Sequence, residues 1–176
     1  VIKNQTTTRS FSLIHVNTVA SPASDYSYVR AEYPNCLSGR AIQFGQTTSA
    51  VSPTFDGFVV YNNSANGRTS INLSGTGVQT ISNIILYNTR GTNFSAQSGL
   101  AIAGGINKTI SGLYHFAEPS STTNCAMLSI NSSSTNNTIT NAHSYGANAT
   151  YATLGYAIGI FGSGNTFNSC SVNASR

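Results

Sequence analysis

Five stretches of this chain lie over one another without a gap, and any fold it adopts must respect their spacing. They begin Thr54-Phe55-Asp56-Gly57-Phe58, Thr80-Ile81-Ser82-Asn83-Ile84, Thr109-Ile110-Ser111-Gly112-Leu113, Thr138-Ile139-Thr140-Asn141-Ala142 and Thr166-Phe167-Asn168-Ser169-Cys170. Ser10-Phe11-Ser12-Leu13-Ile14 reads as a weaker sixth. The second residues fall at 55, 81, 110, 139 and 167, in steps of 26, 29, 29 and 28. That second residue is always Ile or Phe between polar neighbours, the alternation of a strand with one buried face. The fourth is Gly, Asn or Ser; Gly and Asn tolerate positive φ, so a single left-handed residue there bends the chain sharply. The fifth is apolar again, so the interior resumes directly beyond the bend.

A third strand recurs between these stretches, as Ala41-Ile42-Gln43-Phe44-Gly45, Ser70-Ile71-Asn72-Leu73-Ser74, Ala101-Ile102-Ala103-Gly104, Ala126-Met127-Leu128 and Ala157-Ile158-Gly159-Ile160. Helix-capping signals ahead of a 3.6-residue pattern are absent. The spacing excludes leucine-rich repeats and propeller blades, which leaves a three-strand unit of about 28 residues. The tight bend in Thr80-Ile81-Ser82-Asn83-Ile84-Ile85-Leu86-Tyr87-Asn88 resembles that of the right-handed parallel β-helix of pectate lyases and phage tailspikes. The resemblance covers residues 10–176 and leaves 1–9 as a lead-in. It implies an all-β, single-stranded, right-handed solenoid of about six coils with three strands each. Coils ~4.8 Å apart would make a rod only ~25 Å long, with exposed sheet edges at both ends.

Charged residues make up 7% of the chain, against a typical ~25%. Disordered chains are usually rich in charge, so disorder is not the explanation. The net charge of +4 comes from single, scattered Lys and Arg residues, which excludes a nucleic-acid footprint. No apolar run approaches the ~20 residues of a membrane-spanning helix, so membrane insertion is not expected. Cys36, Cys125 and Cys170 are odd in number and widely spaced. They read as buried thiols, and neither a metal nor another cofactor is expected. The chain starts at Val1 without a leader pattern, which reads as a fragment or a processed product. The frequent N-x-S/T triplets, among them those at Asn62, Asn72, Asn93, Asn107, Asn131 and Asn148, read as composition, in keeping with a bacterial or viral source.

The acids are Asp25, Glu32, Asp56 and Glu118. Polysaccharide hydrolases generally use two carboxylates ~5–9.5 Å apart. On stacked coils an in-column pair is excluded, because Asp56 shares its column with Ser12, Ser82, Ser111, Thr140 and Asn168. A pair between columns or across subunits stays open, and all four acids are candidate catalytic residues. The Ca²⁺-dependent lyase route that the resemblance brings to mind lacks its acidic cluster. Residues 21–40 stand out: Phe11 and Phe55 are 44 residues apart, about 15 more than one coil needs. The excess is placed in an inserted loop at about 18–38. Residues 21–40 hold Tyr26, Tyr28, Tyr33, Arg30 and Arg40, whose rings and charges suit sugar binding, although an end cap or interface loop covering the first coil is the reading put ahead of it. His15, Tyr114 and His143 are assigned to one outward column, with His115 beside it. They read as surface residues, with a general-base role for His143 or His115 left open.

Three functions are therefore expected. The first is a tailspike-like segment that recognises, and in one version cleaves, a bacterial surface polysaccharide. The resemblance adds a homotrimer and a place on a virion tail or outside the cell. The second is a non-catalytic structural or adhesive fibre segment. The third is ice binding through a flat ladder of Thr54, Thr80, Thr109, Thr138 and Thr166, although such stacks are also ordinary strand formers.

Overall fold

The computed structural model describes residues 2–3, 14–18, 26–27, 30–33, 42–46, 54–62, 71–88, 98–117, 126–145 and 158–173. Among these residues there are sixteen strands and no helix. All strand pairings are parallel. The strands form a ten-stranded and a six-stranded sheet, and neighbours within each sheet come from successive repeats. A chain that returns to the same sheet once per repeat, travelling the same way, can only pair in parallel. The architecture is compatible with a β-solenoid.

The larger sheet carries the repeated motif in the register expected of it. Thr54, Thr80, Thr109, Thr138 and Thr166 are successive partners. So are Phe55, Ile81, Ile110, Ile139 and Phe167. Gly57, Asn83, Gly112, Asn141 and Ser169 have φ of 70°, 53°, 69°, 53° and 52°. Every repeat thus turns on one left-handed residue, and the strands Gln79–Asn88, Lys108–Ala117 and Thr138–Tyr145 run through the bend. Ile84, Leu113 and Ala142 beyond it are fully buried. The smaller sheet closes the interior from the other side with Ile42, Ile71, Leu100 and Leu128 in one column, and Leu73, Ile102 and Ile130 in the next. Its register departs from the aligned third strands: Ile71 stands opposite Leu100 rather than Ile102, because Leu100 and Ile102 are both inward and alternation alone cannot choose between them.

A second corner joins the smaller sheet to the larger one. Asn137 organises it: its Oδ1 accepts from Lys108 N at 2.9 Å, and its Nδ2 donates to Gly105 O at 3.1 Å and Asn165 Oδ1 at 2.9 Å. Asn165 Oδ1 also accepts from Asn137 N at 3.0 Å. Stacked amides thus satisfy backbone groups that the turn removes from the ladders.

The N-terminal part corrects two expectations. The segment at 18–38 is not simply an inserted loop. Tyr26 and Ser27 pair with Phe55 and Asp56, and Arg30–Tyr33 pairs with Val59–Asn62. Tyr26 and Phe55 are 55 − 26 = 29 residues apart, one regular repeat. The apparent excess came from starting the count at Phe11. Ile14–Thr18 belongs instead to the smaller sheet, opposite Ile42–Gln46. The member that precedes Asp56 in its column is Ser27, Ser12 lies outside the described residues, and His15 pairs with Gln43, not with the Tyr114 and His143 column. Alternation alone could not assign Ile14–Thr18 to a sheet, because a strand of either sheet shows the same period-2 pattern.

Close stacking leaves no room for a side chain at Gly162. A Cβ there would lie 1.8 Å from Ser134 O and 2.8 Å from Asn131 O. We expect Gly162→Ala to lower the melting temperature sharply or prevent folding, whereas Ser163→Ala next to it leaves thermal unfolding within a degree or two. Circular-dichroism melts compare the two. Ile110→Ala in the closed interior should cost about 2–5 kcal/mol in urea unfolding.

Candidate functional surface

Beyond the bend, alternate residues of the larger sheet point to opposite sides. Val60, Leu86, His115 and Ser144 form an inward column. The positions on either side of it form two outward columns. One runs Arg30, Val59, Ile85, Tyr114, His143 and Ser171; the other carries Tyr61, Tyr87, Phe116 and Tyr145. The four rings of the second stack in sequence, with centroids 4.7, 5.2 and 5.2 Å apart and planes within 17°. Arg30 covers the Tyr61 end, its Cζ 4.8 Å from the ring centroid. In the adjoining column Tyr114 stacks on His143 at 5.7 Å, and His143 Nδ1 shares a 2.7 Å hydrogen bond with Ser171 Oγ. Tyr114, Phe116 and Tyr145 are 37–40% exposed, and together they make an aromatic stripe on the outward face.

On the near side of the bend, Asp56 is pinned. Ser82 Oγ donates to its Oδ1 at 2.6 Å and Asn83 Nδ2 at 2.8 Å. These donors, Ser82 foremost, hold the carboxyl below its usual range, so it stays ionised and is a poor proton donor. Ser111, Thr140 and Asn168 continue its column, so only the repeat at Thr138-Ile139-Thr140 presents two threonines side by side.

Two ionisable side chains are enclosed. His115 is fully buried, its Nδ1 3.0 Å from Ser144 Oγ, and burial lowers its pKa to about 4. Lys108 is fully buried, donates from Nζ to Gly77 O, and burial lowers its pKa to about 8. It stands in register with Gln79, whose buried Oε1 has no hydrogen-bond partner among the described residues. His115 is thus no surface base. It is a neutral interior group in a column where the preceding repeat has Leu86.

Of the sequence-predicted site residues, Asp56 and Arg30 are described with their side chains, on opposite sides of the bend. Glu32, Tyr26 and Tyr33 are placed by strand register alone: Glu32 opposite Tyr61, Tyr26 opposite Phe55 and Tyr33 opposite Asn62. Asp25, Tyr28, Arg40 and Glu118 lie outside the described residues. No group of three His, Cys, Asp or Glu side chains converges among the described residues. Sequence reasoning missed the aromatic ladder, although its signal is plain: the eighth residue of four successive motifs is Tyr61, Tyr87, Phe116 and Tyr145. Lys108 was equally readable, since the residue before the Thr of the last four motifs is Gln79, Lys108, Asn137 or Asn165.

No protein-family model, curated protein or solved structure matches this chain.

Burial of the two bases makes a pH prediction. Both have folded pKa values below their unfolded ones, so the unfolded chain binds more protons between the two values and stability rises with pH there. We expect an increase from about pH 4 to 6.5 through His115 and another from about pH 8 to 10.5 through Lys108. Each step is worth roughly 3 kcal/mol at most. Urea melts of wild type, His115→Leu and Lys108→Met across these ranges check this. Each substitution should flatten its own window and leave the other in place.

Proposed function

We propose that the chain is a right-handed parallel β-helix of about six coils, from a trimeric fibre of the tailspike type on a virion tail or outside the cell. Its outward face beyond the bend recognises a bacterial surface polysaccharide. The observation that carries this reading is the exposed stripe of Tyr114, Phe116 and Tyr145 beside His143 and Ser171 on the larger sheet. Sugar rings have an apolar face and a polar rim, which aromatic side chains flanked by hydroxyl and imidazole groups match. Recognition is favoured over cleavage for the described residues. Asp56 is held ionised by its hydrogen bonds and is suited to accepting from hydroxyls rather than to donating a proton.

One observation favours a second reading, a non-catalytic shaft segment. The ladder rings face one another, so stacking occupies ring faces that a sugar would otherwise use.

Calorimetric titration with purified capsule or O-antigen separates the two. On the recognition reading, Tyr114→Ala and Tyr145→Ala each weaken binding about tenfold or more without changing the thermal melt. No binding by the correctly folded wild type would leave the shaft reading. Reducing-end release assayed alongside should be absent in wild type and in Asp56→Asn; release by wild type would sink the non-cleaving assignment.

A further inference from the structure

The aromatic ladder contains one pair of phenols in direct contact. Tyr61 and Tyr87 are register partners in neighbouring repeats. Their ring centroids are 4.7 Å apart and their planes differ by 8°. Side chains at equivalent strand positions stand off the sheet in the same direction. Each carbon ortho to one hydroxyl therefore lies over its counterpart, at about the centroid separation of 4.7 Å. That is close to the ~3.5–4.0 Å of carbon–carbon van der Waals contact. Both rings are half-buried on the outward face, so each keeps an edge in solvent.

The rest of the ladder isolates this pair. Arg30 covers the Tyr61 end. On the other side Phe116 stands between Tyr87 and Tyr145 and stacks on both. Phe116 has no hydroxyl, so it yields no phenoxyl radical and separates Tyr145 from the pair. Tyr114, in the adjoining column, has Ile85 and His143 as register partners. Among the described residues, Tyr61 with Tyr87 is thus the one contact between tyrosine rings. Stacking closes these ring faces to a sugar and holds them against each other.

We propose that Tyr61 and Tyr87 form an oxidative cross-linking site, at which a dityrosine bond staples two neighbouring repeats. The oxidant is hydrogen peroxide acting through a haem peroxidase. Each phenol gives up one electron and its hydroxyl proton. The two phenoxyl radicals form one carbon–carbon bond between ortho carbons, and the two ring protons displaced there move to the oxygens. One peroxide becomes two waters, and the chain loses two hydrogens. A cross-link of this kind restricts the unfolded chain, as a disulfide does, and stabilises the fold. The bond forms whether or not the outward face binds polysaccharide.

The test treats dilute 176-residue chain with hydrogen peroxide and a haem peroxidase, then reads tryptic peptides of the monomer by mass spectrometry. Trypsin cuts after Arg40, Arg68 and Arg90, so Tyr61 is the one tyrosine of peptide 41–68 and Tyr87 the one of peptide 69–90. These two peptides joined, lighter by two hydrogens than the separate pair, should be the dominant coupled product. Tyr87→Phe should abolish it and Tyr145→Phe should leave it in place. The coupled wild type should also melt several degrees above Tyr87→Phe carried through the same treatment, relative to each untreated chain. Absence of the joined peptide overturns the proposal. So does a joined peptide no more abundant than other tyrosine couplings, or a coupled chain that gains nothing in melting temperature.

Discussion

The structure depends on parallel, in-register pairing of one repeat with the next. The ladders tie each residue to its equivalent one repeat away, as in Ile81 to Ile110 to Ile139. Side chains consequently meet their own equivalents. An inward Ile packs on an inward Ile, a Thr stands over a Thr, and a left-handed Asn83 over a left-handed Gly112. A one-residue slip would put every inward side chain outside and move the bend off its Gly or Asn, so the register is doubly specified.

Stacking of equivalents explains features that would look anomalous in an ordinary core. Asn137 and Asn165 can serve a corner because each supplies the groups its neighbour needs. Lys108 sits in that same column, buried and partnered to a carbonyl rather than to an acid, and its charge is correspondingly disfavoured. The outward aromatic rings stack for the same reason that the inward isoleucines do: repeat spacing brings each within contact of the next. One geometric rule produces both the interior and the candidate binding face.

It also makes the ends the weak points. In the middle of the stack a layer is covered on both sides, whereas the last described layer leaves Ile160 and Val172 in contact with water. A repeat protein buries its core only where neighbours exist, so whatever meets that edge must bring strands with the same alternation.

Much of this was legible in the chain itself. The Ile or Phe positions, the left-handed bend, the Thr column and the all-β parallel character follow from local chemistry: period-2 alternation marks a buried strand face, and only a few residue types accept positive φ. The aromatic ladder was present too, as a fixed offset from each Thr. Tertiary structure alone decided which sheet a strand joins and which partner each residue meets. Phe11 to Ile14 carries the same alternation as the motif, and only pairing with Ile42–Gln46 assigns Ile14–Thr18 to the smaller sheet and Tyr26 to the position opposite Phe55. It alone enclosed His115 and tied Asp56 to Ser82 and Asn83. Alternation encodes which residues turn inward, but the identity of the neighbour depends on the hydrogen-bond ladder between repeats, which no single repeat contains.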